Sequence, residues 1–201
     1  MRPDRRRSRS RDLALIATFA GLMAALGLVP ALAPFGGAVP ITAQSMGAML
    51  AGAVLGPRLG AASITLFLGL VALGLPLLAG GRGGLGVFAG PSVGYLVGWV
   101  VGAFVVGLLT WATCRGRYRL APGLLANLVG GIVVLYLIGI PGVAWRADLS
   151  LTAAATGALT FIPGDVVKAV LAALIARGVH AAYPGLLPRA RETRVKEQTP
   201  A

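Results

Sequence analysis

Of the 201 residues, 57% are hydrophobic and only 12% are charged, with a mean hydropathy of +0.84, whereas an ordinary soluble domain is about 25% charged. That balance excludes a soluble globular domain and points to a polytopic membrane protein. The net charge of +12 would suit a nucleic-acid partner, but the arginines fall between and beyond the apolar runs, where they orient a membrane chain instead.

Residues 1–11 form a basic tail carrying Arg2, Arg5, Arg6, Arg7, Arg9 and Arg11. The apolar run behind it exceeds the 7–15-residue core of a signal peptide, so it is a retained first span over 12–33. On span one, Ala17-x-x-x-Gly21 and Ala20-x-x-x-Ala24 make a stripe of small residues. Such a stripe allows close helix approach, either within the chain or to a partner subunit. Further spans are expected at 41–56, 59–79, 90–113, 120–141 and 150–177, measured against the roughly 20 apolar residues that cross about 30 Å of hydrocarbon. Span two is short. The membrane domain is therefore 12–182, followed by a second basic tail, 183–201, and both tails have the polar composition of mobile segments.

One side of this arrangement collects the N-terminal arginines, Arg58, Arg115, Arg117, Arg119, Arg177, Arg189, Arg191, Arg194 and Lys196, and the other only Arg82 and Arg146. An even number of helices with both termini cytoplasmic produces that asymmetry. The expected fold is all-α, with six transmembrane helices. Trp111 and Tyr118 at one rim and Trp145 at the other are expected as interfacial anchors.

Catalytic chemistry is hard to assemble. Cys114 is the lone cysteine, which excludes an intrachain disulfide, and His180 the lone histidine, so neither a clustered metal site nor a buried serine–histidine pair is available. "GGRGGLG" at 80–86 contains a G-x-G-x-x-G match, yet that fingerprint needs a strand before it and a helix after it. No G-K-[ST] occurs. An enzyme is not expected, nor a cofactor. The glycine loop is either a flexible connection or backbone able to approach a ligand closely.

Polar residues within the spans carry the remaining information: Thr42, Gln44 and Ser45 in span two, Asn127 in span five, and Asp165 and Lys168 in span six. Tyr95 and Trp99, four apart in span four, share a helix face with one another. An isolated charge at mid-bilayer costs about 2.5–3.5 kcal/mol. From Asp165 to Arg177 a helix spans about 18 Å, which places the Asp165–Lys168 pair inside the bilayer. Pro163 should turn Ile162 away from helical geometry and break span six near "IPGD", leaving Asp165 to cap the second half-helix. The pair either neutralises itself around that kink or meets a guest molecule that offers both donors and an anionic group.

Three stretches together carry a resemblance: "VPITAQSMGAMLAGAVLGPRLGA" at 39–61, "GLPLLAGGRGGLGVFAGPSVGYLVG" at 74–98 and "FIPGDVVKAVLAALIA" at 161–176. They resemble the biotin-specific substrate-binding subunits (S components, BioY family) of energy-coupling-factor vitamin transporters, in family order and spacing. Pro91-Ser92-Val93-Gly94 departs from the family's commoner "GPTGGY", and Arg82 stands inside the glycine loop. The resemblance implies a six-helix protein of the bacterial inner membrane that captures biotin from outside. Its energy would come from a separate membrane scaffold subunit and cytoplasmic ATPases. Carried over residue by residue, it implies a site at Gln44, Tyr95, Asp165 and Lys168, with Asn127 a further member. Matching biotin's groups to the residues within the spans then expects Gln44, Asn127 and Asp165 at the ureido group, Lys168 or Arg82 at the carboxylate, and Tyr95 with Trp99 at the apolar rings. The stripe of Ala17, Ala20, Gly21 and Ala24 is similar to the surface that meets the scaffold. Alternatives from the residues alone are another vitamin, a self-sufficient secondary transporter using Asp165 and Lys168 as an ion relay, or a purely structural subunit.

Overall fold

The computed structural model describes residues 5–31, 39 and 41–188. Among them regular structure is helical: α1 (Arg5–Gly27), α2 (Gln44–Leu55), α3 (Pro57–Ala72), α4 (Val93–Thr113), α5 (Leu120–Leu128), α6 (Leu135–Arg146), α7 (Leu151–Ala158) and α8 (Ile162–Ala182). Four stretches are long and apolar enough to cross a membrane: Arg9–Gly27, Val93–Thr113, Leu120–Arg146 and Leu151–Ala182. Thus α5 and α6 form one span and α7 and α8 another.

The helix limits differ from those expected in ways the chain explains. α1 starts at Arg5, inside the segment expected as a tail, because residues 5–11 contain neither glycine nor proline to stop it. Residues 1–4 and 189–201 of the two basic tails lie outside the described residues. α2 and α3 are shorter than expected and are separated by Gly56 alone, whose φ of +81° turns the chain before Pro57 opens α3. Twelve residues of α2 cover only about 18 Å. That shortfall leaves room for a cavity at bilayer depth.

α4 lies at the centre and packs against α2, α3 and α6. Glycines on its inner face make this possible. A Cβ on Gly94 would stand 2.8 Å from the Ile138 carbonyl oxygen, and one on Gly107 would stand 2.4 Å from the backbone between Gly56 and Pro57. Between α5 and α6 the helix widens into a π turn over Val129–Val134. Its two glycines take the close contacts of Met49 and Val106, and such turns recur at functional sites.

The break in span six is real, but its cause is not the one expected. A 3-10 turn, Leu159–Phe161, separates α7 from α8, while Ile162 is itself helical at φ −54° and ψ −48°. Pro163 sits in the first turn of α8, where its missing N–H costs nothing. Asp165 does not cap that helix, because its carboxylate is taken up by side chains. α8 sorts its residues by environment: Asp165, Ala169, Ala172, Ala173, Ala176 and His180 face inward, and Val166, Val167, Leu171, Leu174 and Ile175 face out. Polar groups inward and aliphatic groups outward are the pattern of a lipid-facing helix.

The two ends of the bundle are chemically unlike. One core cluster joins Leu55, Cys114, Tyr118, Ala176 and Leu187, at the end that carries Arg58 at the start of α3, Arg115, Arg117 and Arg119 after α4, and Arg177 in the last turns of α8. The other joins Leu78, Tyr95, Trp99 and Leu135, near Arg82 and Arg146. Tyr118 is not a rim anchor. It is buried between His180 of α8, on which it stacks with ring centroids 5.1 Å apart, and Gly123 of α5, while Trp111 lies against Gly56 at the corner between α2 and α3. Trp145 is 75% exposed at the opposite end, with the Arg146 guanidinium 5.1 Å above its ring.

Candidate ligand-binding cavity

A cavity opens at the end away from the arginine-rich loops, between the N-terminal halves of α2, α4 and α8. Counting its open mouth it holds about 530 Å³. Gln44, Ser45, Arg82, Tyr95, Trp99, Asp165 and Lys168 line it. Six of the seven site residues expected from sequence are therefore gathered in one place, and Ser45 joins them.

Asp165 is the centre of the polar wall. It is 4% exposed. Its Oδ1 accepts from the Lys168 ammonium at 2.8 Å and from the Ser45 hydroxyl at 3.3 Å, and its Oδ2 accepts from the Tyr136 hydroxyl at 2.7 Å. Lys168 also donates to Ser45 Oγ at 3.1 Å. The two charges therefore complete each other, as one of the two sequence alternatives held, and the pair still faces the cavity. A buried carboxylate held by charged and hydroxyl donors stays a strong acceptor. The i, i+3 spacing on α8 brings the two groups to one face.

The apolar wall is aromatic. Tyr95 meets Tyr136 and Phe161 edge to face, at 6.1 Å in both cases, and Trp99 follows one turn along α4. Tyr136 and Phe161 were not singled out in the sequence. A lone tyrosine inside "VVLYLIG" is the signal that marks Tyr136, whereas Phe161 looks like any lipid-facing phenylalanine.

Gln44 holds the mouth rather than offering a free amide. Its Nε2 donates to the Met23 and Leu77 carbonyls, each at 3.0 Å, and its Oε1 accepts from the Ala79 amide at 3.0 Å. This ties α1, α2 and the loop after α3 together. That loop reverses over Gly80 and Gly81, at φ +79° and +70°, with Leu78 and Arg82 exchanging backbone hydrogen bonds at 3.0 and 3.2 Å. Arg82 thereby lines the cavity, its Nε donating to the Ala79 carbonyl at 3.3 Å. Gln44→Leu is expected to remove three hydrogen bonds that tie the mouth loop to α1 and α2, lower the melting temperature and speed limited proteolysis at 77–84. Unchanged cleavage there would contradict this role.

Asn127 stands apart from the cavity lining. It is fully buried, and its Nδ2 donates to the Ala169 carbonyl at 3.2 Å, so it joins α5 to α8. The small-residue stripe of α1 divides. Ala20 and Ala24 pack into the core, whereas Ala17 and Gly21 are exposed, with nothing within 4 Å of a Cβ placed on Gly21.

The comparisons with known proteins agree with this geometry. The profile of the BioY family matches residues 2–185. A "Biotin transporter BioY" from Rhizobium etli is 51% identical over 185 residues, which is 90% of this chain and 99% of that protein. Another from Rhodobacter capsulatus is 49% identical over 187 residues, 88% and 97% of the two chains. Among solved structures, the S-component for biotin from an ECF-type ABC transporter superposes with a TM-score of 0.81 at 33% identity, covering 87% of this chain and 93% of the other.

Proposed function

Since the chain belongs to the BioY family, we propose that it is the biotin-capturing S component of an ECF-type transporter, a transport subunit rather than an enzyme. It crosses the inner membrane six times, through α1, α2, α3, α4, the joined α5–α6 and the joined α7–α8. Both termini lie in the cytoplasm, on the side of Arg58, Arg115, Arg117, Arg119 and Arg177. The cavity then opens outward. A membrane scaffold subunit and ATPases supply the energy, and the outward Ala17 and Gly21 face of α1 suits a close helix contact with the scaffold.

The observation that carries this reading is the Asp165 carboxylate, held by Lys168, Ser45 and Tyr136 beside an aromatic wall. Biotin matches it group by group. Its ureido N–H groups are donors suited to a carboxylate acceptor, its fused rings suit Tyr95, Trp99 and Phe161, and its tail ends in an anion. Arg82 is the better partner for that anion, because Lys168 is already neutralised by Asp165 while the Arg82 guanidinium has a backbone carbonyl and no carboxylate among the described residues. Asn127 and Gln44 support the site from behind, through α8 and the mouth loop.

Titration of the purified protein with biotin, thiamine and riboflavin tests the assignment. Saturable binding of biotin that neither other vitamin displaces is the expected result. Tighter binding of either would overturn it.

A further inference from the structure

A second cavity lies at the opposite, arginine-rich end, with about 530 Å³ of space including its mouth. It is bounded by the turn after α4, the end of α8 and the segment 184–187, which is strapped down by the Gly116 amide donating to the Pro188 carbonyl at 3.1 Å and by the buried Leu187. Arg117 and Arg177 both line it. Neither has a carboxylate partner among the described residues. The ring of Tyr118, stacked on His180, closes the wall between them, with its hydroxyl buried against Gly123.

Two guanidinium groups with no carboxylate partner, over a partly enclosed space, are a donor set suited to a phosphate. We propose that this cavity binds a phosphate-bearing anion, one Arg on each side, with Pro184 and Leu187 against the part that carries no charge. At the water-facing end of a lipid-embedded bundle, an anionic phospholipid headgroup and a soluble phosphate share that chemistry. The site is separate from the biotin cavity, so its test does not depend on the biotin reading.

The test is native mass spectrometry of the full chain with phosphatidylglycerol and with phosphatidylcholine, together with a thermal-shift titration in inorganic phosphate without added lipid. Phosphatidylglycerol retained at least about 10-fold over phosphatidylcholine, and lost in the R117Q/R177Q double variant, assigns the site to a lipid headgroup. A phosphate-dependent rise in melting temperature that the same variant abolishes assigns it to a soluble anion. The R115Q/R119Q variant removes equal charge from arginines outside the cavity, and a cooperative thermal melt with unchanged helical circular dichroism reports whether each variant is folded. Equal loss in R115Q/R119Q, or retention in the folded R117Q/R177Q variant together with an unchanged phosphate response, overturns the proposal.

Discussion

Asp165→Asn is expected to weaken biotin binding by at least about 30-fold, or about 2 kcal/mol. The amide keeps the shape of the carboxylate but loses one acceptor and all of its charge, while the donors of Tyr136, Ser45 and Lys168 remain aimed at it. Lys168 is then left without its carboxylate, and breaking a buried ion pair costs about 3–5 kcal/mol of stability. Weak binding and weak folding are separated by the double variant Asp165→Asn/Lys168→Met, which removes both charges. Its melting temperature should return towards that of the parent protein while biotin affinity stays low. Recovery of affinity along with stability would mean that the pair only holds α8 in place.

Gly107→Val is expected to destabilise the bundle by at least about 2 kcal/mol, because overpacking typically costs about 1–3 kcal/mol and here the obstacle is backbone. The added carbon would stand 2.4 Å from the Gly56–Pro57 peptide, which no change of rotamer relieves. For a chain of this length that corresponds to a fall in melting temperature of about 4 °C or more. Gly21→Val on the outer face of α1, where a Cβ meets nothing within 4 Å, should leave the melting temperature unchanged. Equal effects of the two substitutions in a thermal melt would contradict the close α4 packing described above.

Much of the site is legible in the sequence because a membrane interior makes polar residues conspicuous. Gln44, Asp165 and Lys168 stand out against valine, leucine and alanine, and a charge at that depth demands a partner. Tyr136 escapes notice because tyrosine is ordinary in membrane proteins, and only tertiary packing turns its hydroxyl toward Asp165. Asn127 is legible only in part. A buried amide needs partners and the sequence does not say which: its Nδ2 finds the backbone of α8, while its buried Oδ1 has no partner among the described residues. Ala20 and Ala17 look alike in the sequence too, and the rotation of α1 alone decides which of them faces the core. The short α2 and α3 follow from local signals, Gly56–Pro57 and the Gly74–Pro76 stretch, which end helices before hydropathy does.

Density for biotin in a structure of the ligand-bound protein is the most direct measure of this account. It should lie between Tyr95, Trp99 and Asp165, with a ureido nitrogen within about 3 Å of the carboxylate and the tail directed at Arg82. Biotin found elsewhere, with the cavity beside Asp165 and Lys168 filled only by side chains or water, would contradict it.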